Sequence, residues 1–359
     1  MTTDHLLSHQ HGGGMSGTSG LIDFSVNVSP VELPLPDFQL SASAIGSYPS
    51  VDGLAIREFY AARFGLDREG VLALNGAIEG IYLLPRALGL RRVLIPSPSF
   101  FDYGRSCRLA GAEVADLPLD ASSGFAFPDF GAISASLEGC DALFTATPNN
   151  PTGTMIPKEQ LLALLCRFPE KIFIVDEAFI QFTEEFPVNS LMPETGAFRN
   201  LVVLHSLTKF YALPGLRLGA IIAHPDLVER LFLHKEPWTV NVFAEMVARH
   251  LLSCGEYERE VRALVTAQRR IIAEALAGNP AFELFGGSAN FFLAGLNPGY
   301  DLDQLIEFLG ARGIVVRDCR NFAGSSREFF RFSVRAAAEN RQLIKALQLF
   351  GELPEGAAA

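Results

Sequence analysis

The sequence predicts an α/β protein: a large domain on a mostly parallel seven-stranded sheet, a smaller α+β domain after it, and an N-terminal arm before it. Three observations carry this expectation. The chain has 359 residues, more than one core of ordinary size accommodates. From about residue 70, short apolar runs alternate with amphipathic stretches, the pattern of βαβ units. After Pro237 the texture changes to two long helical segments followed by four short apolar runs. The expected divisions are an arm over residues 1–40, the large domain over 41–236 and the small domain over 237–359.

The elements follow in order. The first forty residues are rich in Gly, Ser and Pro, with Pro30, Pro34 and Pro36 close together, so an arm running over the surface is expected. A helix is expected over Leu54 to Phe64, closed by Gly65, and another over Lys158 to Arg167, whose start follows Pro157. Val71 to Leu74, Arg92 to Ile95, Glu113 to Leu117, Ala142 to Ala146, Ile172 to Val175, Leu201 to Leu204 and Leu218 to Ala223 read as strands, each short, apolar and bounded by turn residues. In the last third, helices are expected over Val240 to Leu252 and Tyr257 to Leu276. Strands are expected over Glu283 to Phe285, Phe291 to Leu296, Ile314 to Arg317 and Phe329 to Val334. There is no internal repeat.

Hydrophobic residues make up 49% and charged residues 19%, the balance of a well-packed soluble protein rather than a disordered one. A net charge of −11 disfavours nucleic acid and anionic membrane as partners. An anionic ligand must therefore meet a local basic pocket. Five cysteines, Cys107, Cys140, Cys166, Cys254 and Cys319, form no CxxC pair, which fits reduced thiols in the cytoplasm. Met1 to Gly20 has neither a basic nor an apolar region of signal-peptide type, and no apolar stretch reaches membrane-spanning length.

Three segments at strand ends carry chemistry. Ser206-Leu207-Thr208-Lys209 follows the run Leu201 to Leu204 and precedes Pro214-Gly215-Leu216-Arg217. A lysine so placed, with an arginine eight positions on, can bond an aldehyde beside a bound phosphate, the two needs of pyridoxal phosphate. By itself it reads equally as a solvated loop lysine. Thr147-Pro148-Asn149-Asn150-Pro151-Thr152-Gly153 is either a rigid turn or a ligand-facing loop in which Asn150 offers an amide. Asp176, ending the run Ile172 to Val175, is either a cap for the next segment or the carboxylate that keeps a pyridine nitrogen protonated.

Together and in this order, these motifs resemble the aminotransferase class I/II superfamily of pyridoxal phosphate enzymes, fold type I, over nearly the whole chain. The resemblance implies that Lys209 binds the cofactor aldehyde covalently, that Asp176 partners the pyridine nitrogen, and that Asn150 lies near the ring hydroxyl and substrate carboxylate. It puts Ser206, Arg217 and the turn Gly76-Ala77-Ile78 on the cofactor phosphate, through helix N-terminal donors and a bidentate guanidinium. Phe100 matches the ring that stacks on the pyridine, and otherwise reads as core. Tyr48 matches a tyrosine that reaches the neighbouring subunit's cofactor, which implies a homodimer with shared active sites. Ile78 departs from the pattern, because a hydroxyl residue often stands there. Glu79 is expected to turn away from the phosphate.

Within the superfamily the chain is similar to the histidinol-phosphate aminotransferases and, more so, to the threonine-phosphate decarboxylases. His11-Gly12-Gly13, Asp23 to Asn27, Asp176 to Phe182, Ser206 to Arg217 and Pro237 to Asn241 carry the second likeness. Phe179 stands where the aminotransferases usually have a tyrosine, and phenylalanine cannot hydrogen-bond the ring oxygen. The resemblance implies a small phosphorylated amino acid as substrate. Arg331 would hold its α-carboxylate and Arg317 with His11 its phosphate, with Asn27 and Arg335 assisting. It further implies decarboxylation of L-threonine O-3-phosphate in cobalamin synthesis, with histidinol-phosphate transamination as the alternative. No metal site is expected, since His11 with His5 and His9 lacks an ordered ligand set.

Overall fold

A computed structural model describes residues 20–38, 41–322 and 328–353. After strand β1 (Ile22–Asp23), seven strands form the central sheet: β2 (Val71–Asn75), β3 (Arg92–Ser97), β4 (Glu113–Pro118), β5 (Ala142–Ala146), β6 (Ile172–Asp176), β7 (Leu201–Ser206) and β8 (Leu218–Ala223). Their order is β2-β8-β7-β6-β5-β3-β4, and only β8 runs antiparallel to its neighbours. The expected α/β class and mainly parallel seven-stranded sheet are therefore observed.

The strands read as continuous apolar runs because both faces are covered. Leu143, Phe173, Val175 and Val203 pack into one core, while Phe144, Ile174, Val202 and Leu204 pack into the other. Alternation along each strand thus feeds two cores. In register, Ala146 pairs with Asp176 and Asp176 with Leu204, so the carboxyl ends of β5, β6 and β7 are level. The segments leaving those ends meet over one edge of the sheet, where open α/β sheets bind ligands.

The helix Leu54–Phe64 ends as expected at Gly65, whose φ of 68° suits a residue without Cβ. The helix expected from Val240 begins at Val242, because Asn241 accepts from Ala244 N at 2.8 Å and caps it. In the small domain, β9 (Phe282–Phe285), β10 (Phe291–Leu296), β11 (Ile314–Val315), β12 (Arg317–Asp318) and β13 (Phe329–Ser333) complete the strands. The antiparallel sheet has the order β12-β13-β10-β9.

Two expectations need correction. The run Ile314 to Arg317 is two strands, since β11 pairs with β1 and β12 with β13. The first forty residues do not all run over the surface. Phe24 is fully buried with Phe292, Phe330 and Phe332, and its carbonyl accepts from Ser333 N at 2.8 Å. Backbone pairing and one apolar plug outweigh the turn-rich composition of that segment. All five cysteines are free, and no helix among the described residues is long and apolar enough to cross a membrane.

Candidate active site

A cavity of about 410 Å³ opens where the ends of β5, β6 and β7 face the small domain. Lys209, Asp176, Asn150, Ser206, Arg217, Ala77, Ile78, Phe100, Asn27, Arg317 and Arg331 all line it. Residues separated by more than three hundred positions, Asn27 and Arg331, therefore share one chamber, and each reaches it by a local device.

Lys209 sits in the short helical turn Leu207–Phe210 that follows β7. Its carbonyl accepts from Ser29 N at 2.8 Å, which ties the turn to the N-terminal segment. Burial, with Arg331 and Arg217 nearby, lowers the ammonium pKa to about 8, against the pull of Asp176. Asp176 ends β6 and is 5% exposed. Burial raises its carboxyl to about 6, although Tyr103, Ala178 N and Lys209 favour the ionised form. Tyr103 Oη donates to Oδ2 at 2.8 Å and Ala178 N to Oδ1 at 2.9 Å. A cation beside this carboxylate would keep it ionised at neutral pH.

An anion cradle faces Lys209. The helix Ala77–Ala87 opens at Gly76, whose φ is 76°. A Cβ there would stand 2.6 Å from Arg217 Nη2, so the guanidinium lies directly over the turn. Ser206 Oγ and Thr208 Oγ1 are 2.8 Å apart beside it. Arg217 has a φ of 60°, and its Nη1 donates to Pro214 O at 3.2 Å. Glu79 is turned away from the cavity: Oε2 accepts from Asn75 N at 2.5 Å and Oε1 lies 3.4 Å from Lys235 Nζ. The carboxylate thus leaves the cradle positive. With a lysine, a buried carboxylate and this cradle around one space, the residues fit a phosphorylated pyridine aldehyde. Ile78 supplies no hydroxyl, so the donors on that side are backbone N–H groups.

The opposite wall is made of guanidiniums. Arg331, on β13, is 6% exposed and hydrogen-bonds Asn150 Oδ1 and the carbonyl of Ser25, the latter at 3.1 Å. With its amide oxygen toward the guanidinium, Asn27 accepts from Nη1 and Nε at 3.2 Å each. Every one of these partners is neutral. Burial and Arg317 lower the Arg331 pKa to about 10, a cation held where an anion would be welcome. Arg317 donates to Asn321 Oδ1 at 3.0 Å and lies 5.9 Å from the Phe322 ring. Phe179 lines the cavity and packs edge-on against Phe291 at 5.1 Å.

Two expected residues are not brought into this chamber. Arg335 donates to Asp23 O at 3.1 Å and pairs with Glu339 at 2.8 Å, one turn along the last helix, so it fastens the N-terminal segment instead of lining the cavity. Tyr48 is 81% exposed and lies against Trp238, ring centroids 4.8 Å apart. His11, with His5 and His9, lies outside the described residues. Conversely, Tyr103, Asn321 and Phe322 line the cavity without having been singled out. Tyr103 carried one readable signal, its i+3 spacing from Phe100 at the start of a helix.

The sequence profile of the family described as "Aminotransferase class I and II" matches residues 20–349. A threonine-phosphate decarboxylase of Salmonella typhimurium is 30% identical over 358 residues, covering 96% of this chain and 97% of that one. A protein of Caldanaerobacter subterraneus subsp. tengcongensis, provisionally named threonine-phosphate decarboxylase, is 36% identical over 306 residues, covering 85% and 83% of the two chains. Among solved structures, the histidinol-phosphate aminotransferase of Clostridium acetobutylicum superposes with a TM-score of 0.83 at 29% identity, covering 92% of this chain and 99% of that one.

Proposed function

The chain belongs to the aminotransferase class I and II family, whose cofactor is pyridoxal 5'-phosphate, and from that premise we propose that it decarboxylates L-threonine O-3-phosphate to (R)-1-amino-2-propanol O-2-phosphate, a step of cobalamin biosynthesis. The observation that carries this reading is the pair of guanidiniums, Arg331 and Arg317, facing the same cavity as Lys209 with neutral hydrogen-bond partners. A substrate with two anionic groups answers both. Phe179 supports decarboxylation over transfer, because no hydroxyl at that position reaches the ring oxygen.

In this reading Ser206, Arg217 and the Gly76 turn hold the cofactor phosphate, Phe100 covers the ring, and Asp176 faces its nitrogen. When bound, the cofactor supplies an aldehyde for attachment of the amino acid and a cationic ring that accepts the electron pair released at Cα. Arg331, fixed by Asn27, Asn150 and Ser25, would grip the α-carboxylate and so select which bond at Cα is set to break. Arg317 and Asn321 grip the phosphate and fix the other end. Lys209 Nζ, with its pKa near 8, carries a proton to Cα after carbon dioxide leaves. The balance is closed: the C–C bond breaks, carbon dioxide departs, and a C–H bond forms.

Tyr48, with Ile45, Val51 and Trp238, leaves apolar surface exposed near the helix Leu54–Phe64, which supports a homodimer in which Tyr48 serves the neighbour's site. Free thiols are consistent with a cytoplasmic setting. The deciding experiment supplies the holoenzyme with L-threonine O-3-phosphate and measures carbon dioxide against amino transfer to 2-oxoglutarate. Carbon dioxide release is expected. Transfer from histidinol phosphate without that release overturns the reading in favour of the aminotransferase.

A further inference from the structure

We propose that Tyr103 is a positioning residue that acts through Asp176 to set the charge at the cofactor's ring nitrogen. The inference rests on the reading that Asp176 faces that nitrogen. Tyr103 is 2% exposed, and its hydroxyl donates to Asp176 Oδ2 at 2.8 Å. The other carboxylate oxygen is taken by Ala178 N at 2.9 Å. The backbone donor by itself would leave the carboxylate free to turn about that one bond. The phenol adds a second anchor and points one oxygen in a defined direction.

The ring of Tyr103 is itself held. It stacks on Phe144 at 4.4 Å with an interplanar angle of 29°, and Phe144 is fully buried in β5. It also meets Phe100 edge-on at 5.5 Å. One side chain thus touches both the residue proposed to cover the ring face and the carboxylate proposed to meet the ring nitrogen. Burial and Asp176 hold the Tyr103 phenol well above its ordinary range, so it remains a donor whenever Asp176 is ionised. The other charged groups nearby are Lys209, Glu177 and Asp102. Glu177 is occupied by Ser190 Oγ at 2.5 Å and Leu191 N at 2.7 Å, and Asp102 by Tyr82 Oη at 2.5 Å. Among the described residues, Tyr103 is thus the side-chain donor to the Asp176 oxygens.

Tyr103→Phe removes the hydroxyl and keeps the stack. In the holoenzyme the pH midpoint of the cofactor's visible absorbance is expected to rise by about half a unit to one unit, because a carboxylate short of one donor gains proton affinity, draws the shared proton away from the ring nitrogen and leaves the ring less cationic. kcat is expected to fall about tenfold while KM stays within about twofold, since the substrate's own grips are untouched. In an Asp176→Asn background the same change is expected to leave the absorbance midpoint unmoved, the signature of a residue acting through Asp176. An unchanged midpoint in Tyr103→Phe, or an equal shift with and without Asp176, overturns the proposal. The absorbance belongs to the cofactor whatever the substrate. Failure of the decarboxylase reading therefore appears separately, as wild-type protein that shows the Tyr103-dependent midpoint yet releases no carbon dioxide from threonine phosphate.

Discussion

On the large-domain side the cavity is walled by strand ends, short hydroxyls and the backbone of a helix start, at Ser206, Thr208, Ala77 and Asp176; on the small-domain side it is walled by two long guanidiniums, Arg331 and Arg317. The first wall hangs on level carboxyl ends of one sheet, so its groups are set by strand register. The second draws on β12 and β13 and on the N-terminal segment, through Ser25 and Asn27. The first wall suits a cofactor, while the second suits what reacts with it. Arg320 in the same small domain sharpens the contrast, since it sits 2.6 Å from Asp303 and 2.8 Å from Asp318. Arg320 is neutralised by its own chain and Arg331 is not.

The comparison breaks first at Lys209. Lys209→Ala is expected to lower decarboxylation at least about 10⁴-fold and to abolish the borohydride-sensitive absorbance shift. Turnover at the wild-type rate would remove the division of labour altogether. Next, Arg331→Leu is expected to lower kcat/KM by about 10²- to 10³-fold, with cofactor affinity by absorbance titration nearly unchanged. Loss of cofactor instead would mean that the two walls are one unit. Arg317→Ala is expected to raise KM for threonine phosphate by about tenfold or more while kcat changes less, because a positioning charge is lost at the far end of the substrate.

A pH experiment sharpens the first wall. The Lys209 pKa is lowered to about 8, so its neutral, nucleophilic form grows as pH rises toward that value and saturates above it. Cofactor capture by the apoprotein, followed by absorbance, is therefore expected to accelerate about tenfold per unit below pH 8 and to level off above it. A pH-independent capture rate between 6 and 9 would contradict the burial argument. The smallest effect is expected from Arg335→Ala. Losing the Glu339 pair and the bond to Asp23 O should cost about 1 kcal/mol of stability in a denaturant melt, with KM unchanged.

Much of the first wall could be read from the chain because its chemistry is local. Lys209, Asp176 and Asn150 each follow an apolar run closely, and a strand end is recognisable without knowing its neighbours. The second wall was reached through family resemblance, which also grouped Arg335 with the substrate. The i,i+4 spacing to Glu339 is a local signal for the pairing observed instead. The break at Val316 was not legible, because both halves of that run are alike in composition and are separated only by their distant partners, Ile22–Asp23 and Phe329–Ser333. Phe24 was hidden for the same reason: a turn-rich segment announces exposure until something pairs with it.

The sequence by itself determined the α/β class, the seven central strands and the chemistry at their ends, since periodicity and turn residues act within a few positions. Only the tertiary structure decided which cations face the cavity and which are neutralised, that Tyr103 braces Asp176, and that the N-terminal segment threads into the small domain. These depend on pairings across tens to hundreds of residues. A side chain's charge is written in the sequence, but its partner is chosen by the fold.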